Sequence, residues 1–318
     1  MQEILERINE FLDSKGIEDE LIRSLIGNFI TKHTELYGNI VSFEDLISRL
    51  NINLNQIIWH DPSERPNEYG FKNMVGQYVG FNDNSIHMYF SKSSLNNSQL
   101  FDDFKSIFFH ELTHCAYTIK NNDIYETETQ VFCTMEQQLN GKVDVVNGTE
   151  IFMEPIVNYI STTIDGKKNS AYISQTLSIF RLINIIGQDK LISSAFHSDE
   201  EKFKSCFEIF RNDGYQYFIQ GLTSFNNGRY NDGKNIMDNF FQNNIPNVTI
   251  NQREIQELRT LKSSIVELKY QKVPEQSNNN YNKCLKKNGF VQVITLSFIV
   301  AIVEIAIFLL TYLAIIRF

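Results

Sequence analysis

Two histidines four residues apart, with a glutamate directly after the first, constrain this chain more than any other feature: His110, Glu111 and His114 in the run HELTH. The spacing makes chemical sense on an α-helix, where positions i and i+4 share a face and both imidazoles can reach one metal ion. Glu111 then lies beside that ion, placed to take a proton from water and return it to a leaving amine. The surrounding run FDDFKSIFFHELTHCAY predicts the required helix. Phe104, Ile107, Phe108, Leu112 and Cys115 form an apolar stripe at three-to-four spacing, and Asp102 and Asp103 fall in its expected first turn.

A third ligand must come from elsewhere. A third histidine six residues beyond the pair is ruled out, because Lys120 stands there, with Tyr117 where that pattern needs glycine. His33, His60, His87 and His197 are not close behind the motif, so a downstream carboxylate is the economical choice. Three glutamates compete. Glu126 and Glu128 lie in NNDIYETETQVFCTMEQQLNG, read as a turn and a second helix that forms a helical hairpin with the motif helix. Glu154 lies in NGTEIFMEPIVNYISTTIDG, where a new helix is expected after Asn147 and Gly148.

FFHELTH, followed by MEPIVNYI and then SAYISQTLSIFRLINIIGQDKLISSAF, resembles uncharacterised bacterial gluzincin-type zinc metallopeptidases of the thermolysin-like clan, over about residues 76 to 200. That resemblance implies a Zn2+ cofactor held by His110, His114 and Glu154. It also places Asn158 where thermolysin-like enzymes carry an acid that orients a ligating histidine. The chain departs from the pattern at Met153 and at Pro155, which fits only in a first helical turn. A weaker resemblance, E-x-x-T-x-x-F from Glu126 to Phe132, is to the ImmA/IrrE-type zincins that cleave repressors.

The fold expected is α+β and mostly helical, with a zincin-like catalytic domain: a small mixed sheet, the motif helix and a helical lower lobe. INLNQIIW, VGQYVGF and SIHMYF read as strands, with Ser85 to Phe90 as the candidate edge for an extended substrate. Residues 1–50 read as an N-terminal helical segment and 51–245 as the catalytic domain. Tyr159 and His197 are candidate oxyanion donors.

The remainder reads as an amphipathic helix and polar linker over 246–289 and an apolar segment over 290–316 long enough to span a bilayer. Its one charge, Glu304, points to a transmembrane partner or a tolerated acid. Lys283, Lys286 and Lys287 before it, against Arg317 after it, orient the catalytic domain to the cytoplasm, and no secretory leader is apparent at the N-terminus. A net charge of −9 argues against nucleic acid as the main partner. Cys115, Cys133, Cys206 and Cys284 show no framework spacing and read as reduced thiols, the first two in helices near the site. The combined expectation is a tail-anchored zinc metallopeptidase acting on proteins or peptides. The alternatives are a zincin that regulates one protein partner and a tethered module with a vestigial motif.

Overall fold

The structure, a computed structural model, describes residues 2–64, 75–81, 83–120, 127–138, 142–166, 172–210 and 213–243. Glu126, the segments 246–289 and 290–316, Glu304 and Cys284 lie outside them. Among the described residues no helix is long and apolar enough to cross a membrane.

Three helices open the chain: α1 (Gln2–Ser14), α2 (Glu20–Tyr37) and α3 (Phe43–Asn53). Asp19 starts α2 by accepting from the Leu21 and Ile22 amides, and Ser42 starts α3 by accepting from Asp45 N, so each helix has a side-chain oxygen over its unpaired N–H groups. β1 (Gln56–Trp59), β2 (Gly76–Val79) and β3 (Ser85–Met88) then form a three-stranded sheet of order β1-β3-β2. β3 runs parallel to β1 and antiparallel to β2. All three expected strands are present, but β3 is central rather than an edge. Among the described residues, the edge strand on the motif side is β2.

The motif helix α4 (Ser98–Tyr117) starts one turn earlier than its acidic pair indicates, because Asn97 caps it through the Gln99 and Leu100 amides. Asp102 and Asp103 therefore fall in its second turn. Its far end is held from outside. Asn53 Nδ2, fully buried, donates to Cys115 O at 3.0 Å and Thr118 O at 2.7 Å, and Arg49 adds a third donation to Thr118 O at 3.1 Å. Those contacts satisfy carbonyls that a helix C-terminus leaves unpaired.

β4 (Thr118–Lys120), β5 (Thr127–Gln130), β6 (Cys133–Gln137) and β7 (Val143–Gly148) follow as an antiparallel meander. The stretch read as a second helix is thus a β-hairpin, and Cys133 lies in a strand. Gln130 pairs with Cys133, so the hairpin loop is only Val131 and Phe132, both with positive φ (39° and 69°). A tight hairpin needs that backbone, which Asn-Gly ordinarily supplies and a β-branched residue resists. Burial compensates here. Both side chains are in the core, Phe132 N donates to Ser198 Oγ at 2.7 Å, and the Phe132 ring stacks on Phe203 at 4.9 Å.

α5 (Met153–Asp165) begins where expected, with Pro155 in its first turn, and ends at Gly166 in the left-handed region (φ 69°). α6 (Ile173–Ile186), α7 (Gln188–His197), α8 (Glu200–Ser205), α9 (Gly214–Asn226) and α10 (Tyr230–Asn243) complete the described fold. α8 is shorter than its apolar pattern implies; Phe207 and Phe210 reach the core from the turns after it. One apolar cluster runs from Ile8 of α1 through Phe29, Phe104, Phe108, Leu112 and Ile156 to Phe240 of α10, so the N-terminal helices share their core with α4 and α5. The Lys105–Asp165 ion pair, at 2.7 Å, joins an early residue of α4 to the last of α5. The two helices consequently run antiparallel, which returns the start of α5 to the motif end of α4.

Candidate metal centre

His110, Glu111 and His114 are all buried on one side of α4. Across from them the first turn of α5 presents Glu154, whose Oε2 lies 3.1 Å from His110 Nε2 and whose Oε1 lies 3.5 Å from His114 Nε2. The two imidazole Nε2 atoms are themselves 3.1 Å apart. One ligand atom from each residue falls within 4.8 Å of the others, a spacing that fits a single ion. Of the two candidate glutamates among the described residues, Glu128 and Glu154, the structure brings Glu154 to the pair. Glu128 points elsewhere, onto the turn after β2.

His114 Nδ1 faces Gln130 Oε1 at 3.1 Å. An amide oxygen can only accept, so Nδ1 carries a proton in either charge state of the ring, and in the neutral ring Nε2 is the nitrogen whose lone pair faces the shared point. Sequence reasoning missed Gln130. Asn158, expected to orient a histidine, instead donates to Thr176 Oγ1 at 2.8 Å inside the α5–α6 contact. Among the described residues His110 Nδ1 has no hydrogen-bond partner.

Glu111 is held from the strand side. Tyr78 N, on β2, donates to Glu111 Oε2 at 2.8 Å. The strand comes that close because position 76 is glycine: a Cβ there would fall 2.6 Å from Ile107 Cγ2 and 3.1 Å from Glu111 Cγ. The carboxylate is therefore fixed between helix and sheet edge, beside the ligand cluster and outside it.

The electrostatics are those of converging lone pairs. Burial opposes charge on His114, but the adjoining Glu154 carboxylate outweighs it and pushes the imidazole up to about 9. Burial likewise opposes charge on Glu154, and the two histidines more than offset it, holding the carboxyl well below its usual range. Tyr172, before α6, is pushed up to about 12 by burial and by the negative charges of Glu154 and Glu111. The residue keeps 39% of its surface exposed, and its phenol stays protonated. No sequence signal marked it. The expected oxyanion donors lie elsewhere: Tyr159 donates to Gln188 and packs on Phe180, and His197 is exposed at the end of α7. His33, His60 and His87 are also outside the cluster, His33 bonded to Tyr117 and His60 to His87.

Backbone strain gathers around the same place. Of the six described non-glycine residues with positive φ, four are Phe81, Val131, Phe132 and Tyr172. Phe81 follows β2, the next two follow Gln130, and Tyr172 stands directly before α6. Strained conformations of this kind cost about 1–3 kcal/mol each and persist where surrounding contacts over-determine them.

Compared with models of known protein families, with curated proteins and with solved structures, the chain gives no match. The reading of this site rests on its own geometry.

Proposed function

We propose that the chain is a zinc-dependent peptide hydrolase with a zincin-like catalytic domain. The observation that carries this reading is the convergence of His110, His114 and Glu154 on one point with a separately held Glu111 beside it. Two imidazoles and a carboxylate are the donor set of open catalytic zinc sites, which leave a fourth position for the reaction. The residues fit the ion: their donor atoms converge, and Gln130 selects the His114 tautomer that offers Nε2.

Zinc, when bound, supplies a Lewis acid that polarises a carbonyl and acidifies water. Glu111 accepts the proton of the attacking water and passes it to the amine that leaves. The Tyr78 amide keeps that carboxylate in place, and the protonated phenol of Tyr172 is assigned as the oxyanion donor. An extended substrate runs along β2, the edge strand on the motif side among the described residues, a role the sequence had pointed to in β3. The apolar run 290–316 is the ground for proposing membrane attachment with the catalytic domain on the cytoplasmic side. Carbonate extraction that released the full chain from membranes would remove that part of the reading.

The test is a comparison of new protein N-termini in cells carrying the wild-type chain and cells carrying Glu111→Gln, with zinc content measured in both proteins. Cleavages confined to wild type, with zinc in both, support the reading and name the substrates. Equal cleavage removes Glu111 as general base, and a chain without zinc removes the metal centre.

A further inference from the structure

We propose that β5 is a positioning strand for both halves of this site, through Gln130 and Glu128; this rests on the metal reading above. Thr127 to Gln130 is polar throughout, yet Glu128 and Gln130 are buried while Thr127 and Thr129, which alternate with them, are only partly so. A strand places alternate residues on one face. These two therefore look inward together, where a core strand would present apolar side chains.

Gln130 acts on a ligand. Its Oε1 fixes the tautomer and ring angle of His114. Glu128 acts on the strand that holds Glu111. Its Oε1 accepts from Phe81 N, while Lys120 Nζ, 3.4 Å from that oxygen, donates to Phe81 O. Both polar groups of the Phe81 peptide are thus gripped by side chains of β4 and β5. This is the residue that turns the chain out of β2 with φ 57°, three positions after Tyr78. Gly80 allows the approach, since a Cβ there would overlap the Glu128 carboxylate. Burial draws the Glu128 carboxyl up, and the Phe81 amide and Lys120 oppose it.

The strained Val131–Phe132 turn makes the arrangement directional. It ends β5 directly after Gln130 and is locked by Ser198 and by the Phe203 stack, so the strand cannot slide without releasing core contacts. β5 thereby ties the ligand side of the site to the general-base side through one rigid element.

The experiment uses the full chain, with zinc alone as probe and chelator competition as readout. Gln130→Leu is expected to weaken zinc about 10–100-fold, the usual cost of losing such an outer contact. Gln130→Glu, which keeps an acceptor, is expected to restore affinity to within a few-fold. In the zinc-free protein, Glu128→Leu and Lys120→Met are each expected to speed hydrogen exchange at the Tyr78 amide about tenfold, with far-UV circular dichroism unchanged. Wild-type affinity in Gln130→Leu overturns the first half, and unchanged Tyr78 exchange in both other variants overturns the second. A wild-type chain that takes up no zinc defeats the metal reading and the Gln130 role together. Tyr78 exchange then still decides the Glu128 role.

Discussion

Lowering the pH from about 7 to about 4 should destabilise this fold through one residue outside the ligand cluster. His33 on α2 is fully buried among Phe29, Tyr37 and Tyr117; its Nε2 meets the Tyr117 hydroxyl at 3.1 Å, and among the described residues its Nδ1 has no partner. Burial holds its imidazole down at about 3, against 6.5 for the free side chain. The unfolded chain then binds a proton that the folded chain refuses. His33 costs nothing above pH 6.5, and stability is lost as pH falls from there toward 3, with a slope of about 1.4 kcal/mol per pH unit and a limit of about 4–5 kcal/mol. His114 works in the opposite sense: its raised pKa gives stability that is complete below 6.5 and lost as pH rises through about 9. Urea unfolding of wild type and His33→Phe, at several values between pH 7 and pH 4 with chelator present, separates the effects. The variant carries its own fixed cost, but its stability should fall less steeply, by about 1.4 kcal/mol per unit. Parallel curves for the two proteins would refute the argument.

Three other outcomes follow from the packing. Asn53→Ala should cost about 1–3 kcal/mol and lower the melting temperature, because it removes two buried donations to the end of α4; Asn53→Asp, which turns a carboxylate toward those carbonyls, should be worse. Gly76→Ala should cost about 1–3 kcal/mol as Ile107 and β2 move apart, and a crystal structure should show the Tyr78–Glu111 contact lengthened. Tyr172→Phe should lower kcat about 100-fold on any substrate found by the N-terminus comparison, with KM changed only a few-fold; an unchanged kcat would remove Tyr172 as the oxyanion donor.

The parts of this molecule legible in its sequence are those where burial and periodicity agree. Phe104, Phe108 and Leu112 announced α4, and the β-branched and aromatic runs announced the first sheet. Pro155 marked the first turn of α5, the turn that carries Glu154. The order β1-β3-β2 was not legible, because nothing in the residues of β3 tells a central strand from an edge one. β5 was misread for a more telling reason. Its inward residues are Glu128 and Gln130, so the apolar alternation that reveals a strand is missing, and its turn is Val-Phe instead of a glycine pair. Asn158 followed a family position but was drawn away by Thr176. The sequence is least transparent where buried residues are polar and bond to one another instead of packing as core.

The contacts that build the centre are distant along the chain: 16 residues separate His114 from Gln130, 33 separate Glu111 from Tyr78, and 44 separate His110 from Glu154. Each closes a loop whose entropy is lost before the contact forms, and the three loops involve both sheets and α5. The donor set therefore exists only in a chain that has completed nearly all of its folding. On the proposed reading, an ion taken up there would be bound by the native state in preference to the unfolded chain, and metal supply would then act on how much of the protein is folded as well as on what the folded protein does.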